Sequence, residues 1–151
     1  MKEINKTRPI VYFNKTVSPR EIVETVGHNF SGDIIVLGDI VDYEEYPLST
    51  TIYTGGGEVC VYGSIHTRRI LEIEGDVTFY GNIFANTIKV IGSMCCHPAL
   101  GKGISANEIA VTDDFIAAGD NYFSAQITVG HDFVTTKTPM FIEVLGRVIF
   151  I

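Results

Sequence analysis

Along most of the chain, apolar residues alternate with polar ones for a few positions, a glycine or short polar residue intervenes, and the alternation resumes. Ile34-Ile35-Val36-Leu37-Gly38-Asp39-Ile40 reads apolar, any, apolar, any, glycine, polar, apolar. The same frame returns at 59–65, 71–77, 77–83, 88–94, 109–115, 127–133 and 142–148. Its first half has period two, so alternate side chains share a face, as in a strand. Glycine at the fifth position permits a bend with positive φ. A second element, Ile83-Phe84-Ala85-Asn86, recurs as Ile104-Ser105-Ala106-Asn107 and Phe123-Ser124-Ala125-Gln126. With Ile65, Ile83, Ile104, Phe123 and Ile142 as equivalent points, the steps are 18, 21, 19 and 19 residues.

Short strands separated by bends at this step form a triangular coil, and stacked coils lie about 4.8 Å apart through backbone hydrogen bonds. The expected fold is therefore all-β, a single-stranded β-solenoid of about six coils and roughly 30 Å. A β-sandwich also has short strands and frequent turns, but does not require one residue class to recur in a column. Two or three inward aliphatics per strand and irregular spacing favour the right-handed β-helix over a strict left-handed hexapeptide form.

The ends differ. Ser18-Pro19-Arg20-Glu21 is a capping box with proline at the first helical position. Val17 and Ile22 stand where a hydrophobic staple packs, and Gly27 supplies a stop. The pattern predicts a helix over 19–26, lying on one end of the column, preceded by a short strand at 10–13. The chain thus reads as one domain, with the strand and capping helix in 1–31 and the solenoid in 32–151. The other end, Val148-Ile149-Phe150-Ile151, is apolar with no visible cap, and it is the expected self-association surface.

Composition narrows the function classes. The 46% apolar and 19% charged content excludes disorder, and no run reaches the roughly 18 to 20 apolar residues of a membrane span. Eleven basic against 18 acidic residues, a formal charge of -7, speaks against a nucleic-acid partner. The first residues lack the apolar stretch of a secretory signal, and Cys60, Cys95 and Cys96 make no disulfide framework. A cytoplasmic setting is the expectation.

Two stretches interrupt the step and read as inserted loops: 42–58, rich in tyrosine and glycine, and 95–103. In Cys95-Cys96-His97 the adjacent cysteines point to opposite faces and chelate poorly, and Cys96 with His97 lacks the geometry of a nucleophile pair. His131 and Asp113 occupy the glycine column, as residue types best tolerated at positive φ. Asp39, Ser64, Asp76, Asn82, Ser93, Asp114 and Asp132 follow the bends as turn residues rather than calcium ligands. Asn86, Asn107 and Gln126 recur once per coil and predict an amide ladder. Gly101-Lys102-Gly103 lacks the strand and helix of a phosphate loop. His66, Arg68 and Arg69 near Glu72 and Glu74 read as a charged strand face. No catalytic residue, metal or cofactor is expected.

The stretches GDIIVLGDIV, LEIEGDVTFYGNIFANTIKVIGSM and ISANEIAV resemble bactofilins, bacterial cytoskeletal proteins with a right-handed β-helix core. The resemblance covers roughly residues 32 to 148 at the level of the repeat, and departs at the two interruptions, the preceding helix and the extra aromatic residues. It implies a non-enzymatic scaffold that self-associates through its coil ends, without nucleotide. The first functional expectation is therefore a homo-oligomeric structural scaffold. The alternative is a carbohydrate-binding module or enzyme with a side groove near 42–58, using Tyr43, Glu44, Tyr46, Tyr53 and Arg68.

Overall fold

The computed structural model describes residues 8–42, 50–97, 103–117, 122–136 and 141–151, with side chains except at 122–125 and 141. The chain forms a β-solenoid of about five turns, mostly parallel sheet and 7% helical. The elements are β1 (Ile10–Phe13), α1 (Pro19–Val26), β2 (Asp33–Val36), β3 (Ile40–Asp42), β4 (Thr50–Val61), β5 (Ile65–Phe79) and β6 (Ile83–Ile91). They continue through β7 (Met94–Cys96), β8 (Gly103–Val111), β9 (Phe115–Ala117), β10 (Tyr122–Val129), β11 (Phe133–Thr135), β12 (Phe141–Val144) and β13 (Val148–Phe150).

β5 shows how one turn is made. Its first part pairs with β3 and β6, its middle with β4 and β6, and its last part with β4 and β7, always in parallel. One bent strand therefore crosses three faces. The first face stacks β1, β2, the end of β4, the end of β5, then β7, β9, β11 and β13. The second face stacks β3 and the starts of β5, β6, β8 and β10. The third face stacks the start of β4, the middle of β5, the ends of β6, β8 and β10, and β12.

Period-two alternation sends one set of side chains inward on each face. Val59, Val61, Ile65, Leu71 and Ile73 fill one coil, and Phe79, Ile83, Ile88 and Val90 the next, all buried. Because successive strands are in register, each inward residue stacks on its equivalent, as Ile88 does on Ile109 and Ile109 on Ile127.

The seven-residue frame serves two different corners. At Gly38, Gly63 and Gly81 it turns from the first face to the second; at Gly75, Gly92 and Gly146 it turns from the third to the first. This changes the register expected from sequence. Ile142 pairs with Ile127 on the third face, so it is not in the column of Ile65, Ile83, Ile104 and Phe123. The need for glycine also differs. Gly75 and Gly92 have positive φ, but Asp113 and His131, in the same column, do not, and no described non-glycine residue does. At Gly63 the reason is space: a Cβ would run into the Gly38 carbonyl of the coil before. The stretch 42–58 is not wholly a loop, since Thr50 onward is strand and the Gly55-Gly56 pair, both at positive φ, bends it between faces. Likewise Cys95 and Cys96 lie in β7 and Gly103 opens β8.

The N-terminal cap forms as its sequence requires. Glu21 N–H donates to Ser18 Oγ at 3.1 Å and Ser18 N–H to Glu21 Oε1 at 3.4 Å, closing the capping box. Val17 and Ile22 are both buried, Gly27 stops the helix at positive φ, and Gly27 N–H donates to the Val23 carbonyl. In this first coil β1 supplies the first face, Val17 bridges Ile40 on the second, and α1 packs against β4 where a third-face strand would lie. A helix presents no free edge in that place, so the third face is closed at this end. No helix among the described residues is long and apolar enough to cross a membrane.

Candidate functional site

At the far end of the column the same inward positions are left open. Phe115 and Phe133 are fully buried, whereas Val148, the next in their column, is 38% exposed. Ala117 and Thr135 are fully buried, whereas Phe150 above them is 61% exposed. Leu145 at 77% and Ile151 at 67% widen the patch, and Ile149, on the outward side, is half-buried. β13 pairs only with β11 among the described residues, so its outer edge has unpaired backbone groups.

The residues after the corners build polar ladders along the column rather than isolated turns. At the first corner, Ser64 N–H donates to Asp39 Oδ1 (2.8 Å), Asn82 N–H to Ser64 Oγ (3.2 Å) and Gly103 N–H to Asn82 Oδ1 (2.8 Å). At the other corner, Ser93 N–H donates to Asp76 Oδ1 (2.9 Å), Asp114 N–H to Ser93 Oγ (3.3 Å) and Asp132 N–H to Asp114 Oδ1 (3.0 Å). Arg147 ends this ladder: its N–H and its guanidinium both donate to Asp132, at 2.9 and 2.8 Å. Asn107 Nδ2 donates to Asn86 Oδ1 at 2.8 Å, which realises the expected amide ladder for that pair.

Asp114, His131 and Asp132 bring three potential metal-ligand atoms within 4.8 Å of one another. Several of their ligand atoms already have partners. Asp114 accepts the Asp132 N–H and meets the His131 ring at Nδ1, and Asp132 holds Arg147. The backbone donor and then the His131 ring hold the Asp114 carboxyl below its usual range, and Arg147 does the same for Asp132. The hydrogen bond to Asp114, helped by the Asp132 charge, raises the His131 pKa.

Of the expected ligand residues, the two that are described, Tyr53 and Arg68, lie in separate grooves. Tyr43, Glu44 and Tyr46 lie outside the described residues. Tyr53 projects from the third face, edge-on to His28 with ring centroids 5.8 Å apart, in a groove that also includes Glu74 and Ile91. Arg68 lies on the second face, in a separate groove of about 480 Å3 lined by Asp42, His66, Phe84, Asn86 and Ser105. His66 and Phe84 stack there, 5.1 Å between centroids. Glu72 lies elsewhere, lining a third-face groove with Lys89. The neighbouring arginine has a different fate from Arg68: Arg69 is buried, its Nε 3.1 Å from the buried Asp42 Oδ2. The inward alternation of β5 runs unbroken through Ile65, Thr67, Arg69, Leu71 and Ile73, so Arg69 faces the interior and not the charged surface expected of it.

Cys96 is fully buried, and burial pushes its thiol far up. It makes no pair with His97. Instead Cys95 Sγ lies 2.8 Å from His97 Nε2. Residues two apart on a strand share a face, so the spacing of this pair was the signal for it. Burial, then the charge of Glu58, raises the Cys95 pKa and keeps it a neutral thiol, the wrong state for a nucleophile at neutral pH. Tyr62, Tyr80 and His97 form one stack beside it, with centroids 4.8 and 5.9 Å apart.

Comparison with protein-family models, with characterised proteins and with solved structures found no match. The functional reading therefore rests on the geometry of the chain itself.

Proposed function

We propose that the protein is a non-catalytic scaffold that self-associates by docking its open C-terminal end on a second copy. The observation that supports this is the exposure of inward columns at β13, where Val148 and Phe150 continue rows that are fully buried one coil earlier. Only a further rung laid on that end completes those rows. The opposite end offers no matching third-face edge, because α1 occupies it. The open end therefore meets another open end, an isologous contact that closes as a dimer. The repeat-level resemblance to bactofilins supports a structural, non-catalytic role. Light-scattering mass across a concentration series tests the reading. The expected mass rises above the 16.6 kDa of one chain; a monomer throughout the series overturns it.

A second reading rests on the second-face groove. Arg68 supplies a cation, Phe84 an exposed aromatic face, and Asn86 and Ser105 hydrogen-bonding groups, a set that fits an acidic sugar. Calorimetry with uronic-acid oligosaccharides tests it, and binding that survives Arg68→Ala unchanged refutes it.

A further inference from the structure

The groove that holds Tyr53 takes its lining from two parts of the fold. Tyr53, Glu74 and Ile91 stand in register on β4, β5 and β6, in one outward column of the third face. His28, Phe30 and Ser31 come from the segment that leaves α1. The two parts are tied to each other. Gly32 N–H donates to the Thr54 carbonyl at 2.9 Å, and Ser31 Oγ donates to the Gly55 carbonyl at 3.1 Å. Phe30 packs over Gly32 so closely that a Cβ there would lie 2.7 Å from its Cζ. The buried Thr54 Oγ1 lies 2.8 and 3.1 Å from the Gly57 and Glu74 carbonyls, which fixes the strand bend beside the groove. Gly55, Gly56 and Gly75 add no side chain to the lining, and about 460 Å3 stays open.

The chemistry of the lining favours a cation. The His28 and Tyr53 ring planes are 74° apart, so they meet as a corner, whereas Tyr62 and Tyr80, at 5°, cover each other's faces. The face of an aromatic ring is the negative part of its quadrupole and attracts a cation within about 6 Å of the centroid. Phe30 adds a third ring, and Glu74, half-buried, is the one carboxylate of the lining. Glu74 has no ion pair among the described residues; Arg8 and Lys89 do not line the groove, and Arg8 is held by the Gly56 carbonyl at 2.8 Å. The segment 28–31 also follows directly on the C-terminal end of α1, the end with partial negative charge, whose last turn carries no basic residue.

The kind of cation follows from the scarcity of acceptors. Calcium takes six to eight oxygen ligands and a primary ammonium offers three N–H donors. One carboxylate among rings and the exposed Ile91 supplies neither set. A methylated ammonium donates no hydrogen bond and has an apolar surface, so ring faces and a nearby carboxylate satisfy it. We propose that this groove binds a trimethylammonium group, with Tyr53 and Phe30 against its methyl groups, His28 closing the corner, and Glu74 balancing the charge. The site lies away from the C-terminal contact and from the second-face groove, and depends on neither.

Calorimetry of the full chain with choline chloride tests this, with the uncharged carbon isostere dimethylbutanol for comparison. One choline per chain should bind with a dissociation constant below about 10 mM, and the alcohol should bind at least about tenfold more weakly. Tyr53→Leu should weaken choline binding roughly 5- to 30-fold, the loss of one ring face, and Tyr53→Phe, which keeps the ring, should not. Glu74→Gln should weaken choline over a similar range, leave the alcohol unchanged and keep the parent circular dichroism. Arg68→Ala, in the other groove, should bind as the parent does. Flotation with phosphatidylcholine vesicles distinguishes the sources: capture that free choline competes away assigns the group to a lipid headgroup, and no capture assigns it to a small solute. Equal binding of choline and the alcohol, no heat at about 10 mM choline, or an affinity unchanged in Glu74→Gln overturns the proposal.

Discussion

Replacing Phe150 with aspartate tests whether the open end is a docking surface, because the cost falls on association and not on the fold. A phenylalanine side chain presents about 150 to 250 Å2, and at Phe150 61% of it remains exposed in the single chain. Covering it removes roughly 90 to 150 Å2 from water, about 2 to 4 kcal/mol at about 25 cal/mol per Å2. In an isologous contact the residue is used twice, so the dimer loses about 4 to 8 kcal/mol, at least about a thousand-fold in dissociation constant. The added carboxylates meet across the axis and raise that loss. Within one chain the change touches an exposed position on the last rung, where substitutions shift stability by about 0.5 kcal/mol. Sedimentation velocity over a concentration series should therefore show a monomer under conditions where the parent chain is associated, with a melting temperature within about 2 °C of the parent diluted to its own monomer. A variant that assembles like the parent refutes the reasoning, as does one that loses association only by unfolding.

Three further outcomes follow from other parts of the structure. His131 should titrate above the ordinary imidazole value, and Asp114→Asn should lower its midpoint; proton NMR of the ring reads both. Since the folded pKa is raised, the contact stabilises fully below the unfolded value and is lost as pH rises through the folded one. Asp42→Ala leaves the buried Arg69 without its carboxylate and should cost about 3 to 5 kcal/mol in urea unfolding; Arg69→Met added to it should recover much of that loss. Gly63→Ala places a Cβ against the Gly38 carbonyl and should cost about 1 to 3 kcal/mol in calorimetry, whereas Gly103→Ala, with open space around it, should not.

The strands, the corners and the capping helix were legible in the sequence because each rests on a local rule. Alternation sets the strands, Ser18 and Glu21 set the helix start, and neither needs a distant partner. Register was not legible, because one frame turns two different corners; this moved Ile142 to the wrong face. The grouping of Tyr53 with Arg68 failed for a related reason: closeness in sequence does not survive a corner, and the two side chains project from different faces. Arg69 stands on the inward side that alternation assigns to it, between Thr67 and Leu71, but its charge argued for the surface, and the Asp42 carboxylate beside it comes from β3, which the local pattern does not bring near. The Cys95–His97 pair obeys period two, so its contact is local and its spacing carries the signal.

The corner ladders also have a direction. In each, the earlier coil holds the side-chain acceptor and the later coil brings the backbone donor, as with Asp39 and Ser64, or Asp114 and Asp132. A coil leaving the ribosome therefore finds its partner already in place on the segment synthesised just before it, beginning from the helix-capped first turn. Growth in the opposite sense would leave each donor waiting for an acceptor not yet made. The column is thus suited to being laid down in the order of translation, each corner residue donating back to the coil made before it, as Arg147 does to Asp132.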